Sequence, residues 1–209
     1  MKNASLITIL TLTAALRLMA ADSEEGFKSI FDGKTFKDWK LGDESAKSWR
    51  IEDGAFVAQG ARSHAFYVGD EQPFKDFEFK VDVMTEPGSN GGIYFHTKYQ
   101  ESGWPKSGFE CQVNVTQSDW IKTGSLYGLA NIALTPAQDN KWWTQHIIVK
   151  GNKVTVKIDG KTVLEYNEPI GAAAGKDFER KLNSGTFAFQ AHDPKSVVRY
   201  KNVRVKRLD

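Results

Sequence analysis

From Asp22 onward, almost every readable stretch of this 209-residue chain repeats its apolar side chains at every second position. That is the period of a β-strand and not of a helix. Residues 77–83 place Phe77, Phe79, Val81 and Val83 on one face, and residues 109–115 and 153–158 alternate in the same way. The last of these runs through Asp159-Gly160 into residues 161–166, the signature of a tight hairpin. Asp53-Gly54 marks an earlier hairpin between residues 49–51 and 55–57, and residues 186–192 and 197–205 supply two closing strands. Helical signals are confined to a turn near Pro136 and an irregular stretch over 172–182, and Trp142-Trp143 reads as core. Many short strands between turns, with no repeat and no linker, indicate one all-β domain over residues 22–209, folded as a two-sheet jelly-roll sandwich.

Residues 1–21 stand apart. Lys2 is followed by an apolar run over 6–16, and small residues Ala20 and Ala21 precede a polar stretch. The run falls short of the ~20 residues a membrane-spanning helix needs. The pattern is that of a secretory signal peptide cut near Ala20 or Ala21, with an amino-terminal anchor as the alternative. It leads to an expectation of a secreted or periplasmic protein with no membrane span once the leader is removed. The chain carries 28 Lys and Arg against 26 Asp and Glu, and two of the basic residues, Lys2 and Arg17, lie in the leader. The remainder is near neutrality, with its basic residues scattered along strands, which argues against a nucleic-acid partner. Cys111 is the one cysteine, so no internal disulfide can form.

Alternation also sorts side chains by face. If Phe109, Cys111, Val113 and Val115 face the core, Glu110, Gln112 and Asn114 project together from the other side. By the same rule Tyr94 and His96 oppose Ile93 and Phe95, and Gln190 and His192 lie opposite Phe187 and Phe189. A sheet face of amides, histidines, tyrosine and one carboxylate differs from the Lys and Thr of an ordinary solvated strand such as 153–158. Amides bind sugar hydroxyls in pairs, and aromatic rings stack on pyranose faces. The flanking loops agree: residues 87–92 are glycine-rich ahead of Tyr94, Trp104 sits on a turn before Glu110, and residues 118–127 interleave Asp119, Lys122 and Tyr127.

A two-carboxylate glycosidase needs an acid and a base or nucleophile. The row over 110–114 holds one acid, with Asp119 beyond it on a loop. Glu110 with His96 would suit proton abstraction and delivery instead. Two histidines and a carboxylate could also hold a divalent metal, although their separate strands give no ligand spacing, so no cofactor is assigned.

Several segments, taken in order, carry a resemblance: residues 31–34 with Trp39, residues 49–54, Ser89-Asn-Gly-Gly-Ile93, Gly108-Phe-Glu-Cys-Gln112, Thr123-Gly-Ser-Leu-Tyr127, Gln190-Ala-His-Asp193 and residues 200–205. Across residues 22–209 the chain resembles the 3-keto-disaccharide hydrolase domain family, of concanavalin A-like lectin and glucanase fold. The resemblance implies a site on a concave sheet and substrates whose C3 hydroxyl a separate oxidoreductase has turned into a ketone. It implies departures too: His96 stands where the family's pattern has an arginine, and Asn114 where it has an aspartate. A C3 ketone acidifies the C2 hydrogen, so one base can expel the anomeric oxygen by elimination, and water then adds back. Glu110 or His96 is the expected base. Lys122, Tyr127, Gln112 and His192 are candidates for enolate or hydroxyl contacts, and Tyr94, Trp104, Asn114 and Gln190 for further sugar contacts. The alternatives are a carbohydrate-binding module without catalysis, an ordinary glycosidase using Glu110 and Asp119, and a structural sandwich domain.

Overall fold

The computed structural model of the protein describes residues 24–42 and 45–209; the leader read over residues 1–21 lies outside them. Among the described residues, thirteen strands numbered in chain order form two antiparallel sheets. The larger sheet runs β11 (Lys161–Asn167), β10 (Lys153–Ile158), β9 (Trp143–Lys150), β6 (Phe77–Thr85), β13 (Val198–Arg207), β4 (Ala55–Ala58) and β3 (Trp49–Glu52), with β1 (Lys28–Ser29) also paired to β13. The smaller runs β2 (Trp39–Leu41), β5 (Ser63–Tyr67), β12 (Thr186–Ala191), β7 (Asn90–Thr97) and β8 (Phe109–Asn114). No helix among the described residues is long and apolar enough to cross a membrane.

The apolar rows of the two sheets meet in one core. Phe77, Phe79, Val81 and Val83 from β6 face Phe187 and Phe189 from β12, Ile93 and Phe95 from β7, and Phe109, Cys111 and Val113 from β8. The Phe189 ring stacks on Tyr200 at 4.2 Å and on Trp39 at 5.1 Å, so one side chain joins both sheets. Gln145 of β9 adds a polar tie. Fully buried, it donates to the Cys111 sulfur at 3.1 Å and accepts from Trp143 Nε1 at 3.4 Å. Burial pushes the Cys111 thiol up to about 12, which leaves it packing rather than reacting.

Trp142-Trp143 divides: Trp143 is core, whereas Trp142 is exposed with the Lys201 ammonium 3.9 Å from its ring centre. A second departure from simple alternation decides the site. Tyr94 pairs with Ala188 and Ile93 with Phe189, but Thr97 pairs with Thr186, so β7 holds one extra residue there. His96 absorbs it at φ 55°, in the left-handed region. The bulge turns His96 away from the row that Tyr94 occupies.

Unlike an ordinary sandwich sheet, the smaller sheet is covered on its second face as well. Every residue of β7, and all of β8 except the half-buried Glu110, is buried, because the loops over 98–108, 115–142 and 168–185 fold across it.

Truncating Phe189 removes the ring that joins both sheets. Phe189→Ala is expected to destabilise the fold by about 3–5 kcal/mol, read from denaturant unfolding. A loss within experimental error would contradict the assigned core.

Candidate functional site

Where those loops meet the second face of the smaller sheet they enclose a cavity of about 300 Å³. Its floor is the polar row: Asn90 and Tyr94 from β7, Glu110 and Gln112 from β8, and Gln190 from β12, with His192 just past the strand end. Trp104, Asp119, Tyr127, Phe178 and Arg180 come over it from the loops.

Glu110 is clamped at the centre of that floor. The Tyr94 hydroxyl donates to its Oε2 at 2.9 Å, and Gln190 Nε2 donates to its Oε1 at 2.8 Å and to the Tyr94 oxygen at 2.9 Å. Burial raises the Glu110 pKa above its ordinary value, and the hydrogen bonds from Tyr94 and Gln190 only partly oppose it. Tyr94, desolvated and facing that carboxylate, is held well above its ordinary value and stays a neutral donor. The glycines of the 89–93 segment now have a reason. A Cβ on Gly92 would lie 2.6 Å from Glu110 Oε1, and one on Gly91 2.8 Å from the Tyr200 hydroxyl.

His192 is oriented by its neighbour. Its Nδ1 lies 2.8 Å from Asp193 Oδ2, and Asp193 also accepts from the Ser196 hydroxyl at 2.7 Å and the Lys195 amide at 2.8 Å. Burial raises the Asp193 pKa, but the hydrogen bonds from Ser196 and His192 outweigh it and hold the carboxyl below its ordinary value. An ionised Asp193 can only accept, which assigns the proton to Nδ1 and the lone pair of the neutral ring to Nε2. The Trp104 ring stands 5.4 Å from the imidazole and 5.7 Å from that of His64.

Among the described residues, three buried amide oxygens of the floor, Asn90 Oδ1, Gln112 Oε1 and Gln190 Oε1, find no hydrogen-bond partner. Each such atom costs about 1–3 kcal/mol while it stays unpaired.

Of the residues singled out in the sequence, Tyr94, Trp104, Glu110, Gln112, Tyr127, Gln190 and His192 line one cavity. Three do not. His96, expected to be a base beside Glu110, sits beyond the bulge, where Nε2 donates to the Lys75 carbonyl at 2.8 Å and Nδ1 accepts from the Asn183 amide at 3.2 Å. Asn114, expected to touch sugar, is fully buried and donates to the carbonyls of Asp119 and Ile121 at 2.9 Å each. Lys122, expected to face an enolate, donates to the carbonyls of Gln117 and Asp119 at 2.8 Å each. Asn114 and Lys122 fasten the loop that carries Asp119 and Tyr127 into the cavity. Arg180, Phe178 and the Asp193 partner of His192 were missed: the first two lie in an irregular stretch without periodicity, and the third was in plain view beside His192. With His96 turned away, the conceivable His96–His192–Glu110 ligand set does not assemble. Among the described residues no group of three or more His, Cys, Asp or Glu is placed to hold a metal.

The model of the 3-keto-α-glucoside-1,2-lyase-like domain matches residues 26–206, and the chain belongs to that family. A 3-keto-disaccharide hydrolase of Bacteroides thetaiotaomicron is 34% identical over a 79-position alignment that covers 34% of this chain and 27% of that protein. A solved candidate glycosyl hydrolase of Parabacteroides distasonis superposes with a TM-score of 0.75 at 24% identity, over 95% of this chain and 99% of that one. A carbohydrate-binding module from Bacillus subtilis superposes at 0.57 and 14% identity, over 81% and 95%. The fold is the two-sheet jelly roll of the concanavalin A-like lectins and glucanases.

Because the folded state holds the Glu110 proton above the ordinary carboxylate range, it binds more protons than the unfolded chain through that window. Stability linked to this group is then intact in acid and falls as pH rises through the folded value. Thermal melts across pH should show Glu110→Gln gaining on the native chain as pH rises; a pH-independent difference would contradict the desolvated carboxylate.

Proposed function

We propose that this chain cleaves glycosides whose sugar C3 carries a ketone, by elimination across C1–C2 and hydration of the product. The observation that carries the reading is a desolvated carboxylate, Glu110, set in a floor of buried amide oxygens that lack partners. The floor suits a polyhydroxylated ring, and the raised pKa of Glu110 makes it a stronger base than a solvated carboxylate. The family to which the chain belongs, and the named activity of its relative from Bacteroides thetaiotaomicron, support the substrate class.

In this reading Glu110 takes the C2 proton while the C2–H electron pair forms the enolate with the C3 ketone. The Arg180 guanidinium, on the cavity wall, offsets the charge that develops on the C3 oxygen. The enolate then expels the anomeric oxygen, which takes a proton from His192 in its protonated form, with Asp193 stabilising the imidazolium. For hydration the roles reverse. Neutral His192 removes a proton from water as its oxygen bonds to C1, and Glu110 returns a proton to C2. The cycle consumes one water and restores both groups. In the same reading the segment over residues 1–21 is a secretory leader and the activity lies outside the cytoplasm.

A second reading has one specific observation behind it: Asp119 lines the same cavity as Glu110, so two carboxylates face one ligand space, as an ordinary glycosidase requires. Methyl 3-keto-glucoside and its unoxidised parent separate the two. The elimination reading expects methanol release from the first substrate alone, with kcat for Glu110→Gln lower by about 10²–10⁴-fold. Hydrolysis of the unoxidised parent at a comparable rate would favour the Glu110–Asp119 pair, and saturable binding of both without turnover would favour a binding module.

A further inference from the structure

The bulge that takes His96 off the cavity floor sets its ring against the far end of a covering loop. Residues 168–185 cross the second face of the smaller sheet and carry Phe178 and Arg180 to the cavity. The Glu179 amide donates to the Lys106 carbonyl at 2.8 Å, Arg180 Nη1 to the Gly128 carbonyl at 3.1 Å, and the Leu182 amide to Glu168 Oε2 at 2.7 Å. Just past Arg180 the Asn183 amide donates to His96 Nδ1 at 3.2 Å, while His96 Nε2 donates to the Lys75 carbonyl at 2.8 Å. The end of the loop lies flat on the bulge: a Cβ on Gly185 would stand 2.4 Å from the His96 carbonyl carbon and 2.4 Å from the Thr97 oxygen.

An imidazole nitrogen accepts a hydrogen bond only while the ring is neutral, because both nitrogens of the protonated ring donate. A protonated His96 would keep its bond to the Lys75 carbonyl but would set Nδ1–H against the Asn183 N–H. We propose that His96 is a positioning residue with a pH response: neutral, it latches the loop that brings Phe178 and Arg180 to the cavity, and protonated, it releases that loop. Lys75, Asp76 and Glu168 line the depression beside the ring, and the Phe77 and Phe95 rings stand edge-on to it at 5.6 Å each. Burial lowers the His96 pKa below its ordinary value, and the hydrogen bond to Lys75 and the charges of Asp76 and Asp209 only partly oppose it. A freed ring returns toward the ordinary value, so the open loop takes up a proton that the latched one resists. The latch is then at full strength above the ordinary histidine range and weakens as pH falls through the latched ring's own value.

Amide hydrogen exchange of the native chain at about pH 7.5 and about pH 5, corrected for the intrinsic pH dependence of exchange, reads the loop without any sugar. Protection over residues 176–185 is expected to fall on the order of tenfold in acid relative to β6, the size of a one-unit difference between the latched and the freed ring. His96→Asn supplies the discriminating comparison. Asparagine tolerates a left-handed φ, and its Oδ1 can receive the Asn183 amide at either pH. That variant is expected to keep the loop protected in acid, whereas His96→Leu should leave it exchanging freely at both pH values. Undiminished protection of the native loop in acid would overturn the proposal. So would the same acid loss in His96→Asn, which would assign the response to Glu168 beneath Leu182, or native protection in His96→Leu at about pH 7.5. Should His96→Leu not fold, the native and His96→Asn profiles decide between them. The glycoside reading can fail without changing any of these outcomes.

Discussion

A polar row on the back of a sheet is harmless while it faces water and costly once loops close over it, because every desolvated donor and acceptor then needs a partner. The smaller sheet of this protein is in that position. The organisation of the site follows from how its row is satisfied. Asn114 gives both amide hydrogens to the carbonyls of Asp119 and Ile121, which anchors the covering loop. Tyr94 and Gln190 turn inward on Glu110, and Gly92 leaves the room that the carboxylate occupies. Among the described residues, the amide oxygens of Asn90, Gln112, Asn114 and Gln190 are left without a partner.

The same constraint separates a site for chemistry from a site for holding. The fold is shared with proteins that only bind sugars, and fold alone does not decide between the two. A carboxylate can serve either purpose, since it accepts strong charge-assisted hydrogen bonds from hydroxyls. Glu110, with its raised pKa, and His192, fixed in one tautomer by Asp193, are features that the proposed proton transfers would use.

Period-two alternation made the strands legible, and with them the row of Glu110, Gln112, Tyr94 and Gln190, since a residue's face follows from its parity within a regular strand. The reading failed where parity breaks or where it carries no information. His96 is one bulge away from the row, and a one-residue bulge leaves no mark in a pattern of apolar residues. Asn114 has the expected parity but reaches under a loop instead of into the cavity, and the path of that loop is a tertiary fact. The strand with His64 and Phe66 on its second face is too short for its alternation to stand out. Arg180 and Phe178 come from a stretch without period, and they reach the cavity only through contacts such as the Arg180 hydrogen bond to the Gly128 carbonyl at 3.1 Å.

The central claim is that Glu110 removes the proton from C2 of a 3-keto sugar. Proton NMR of methyl 3-keto-glucoside with the native chain in heavy water follows that hydrogen directly. The account predicts a product 3-keto sugar carrying deuterium at C2, because the proton held by Glu110 exchanges with solvent before it is returned. A product released at the full enzymatic rate with its original C2 hydrogen intact would contradict it, since the C2–H bond would then never have been broken.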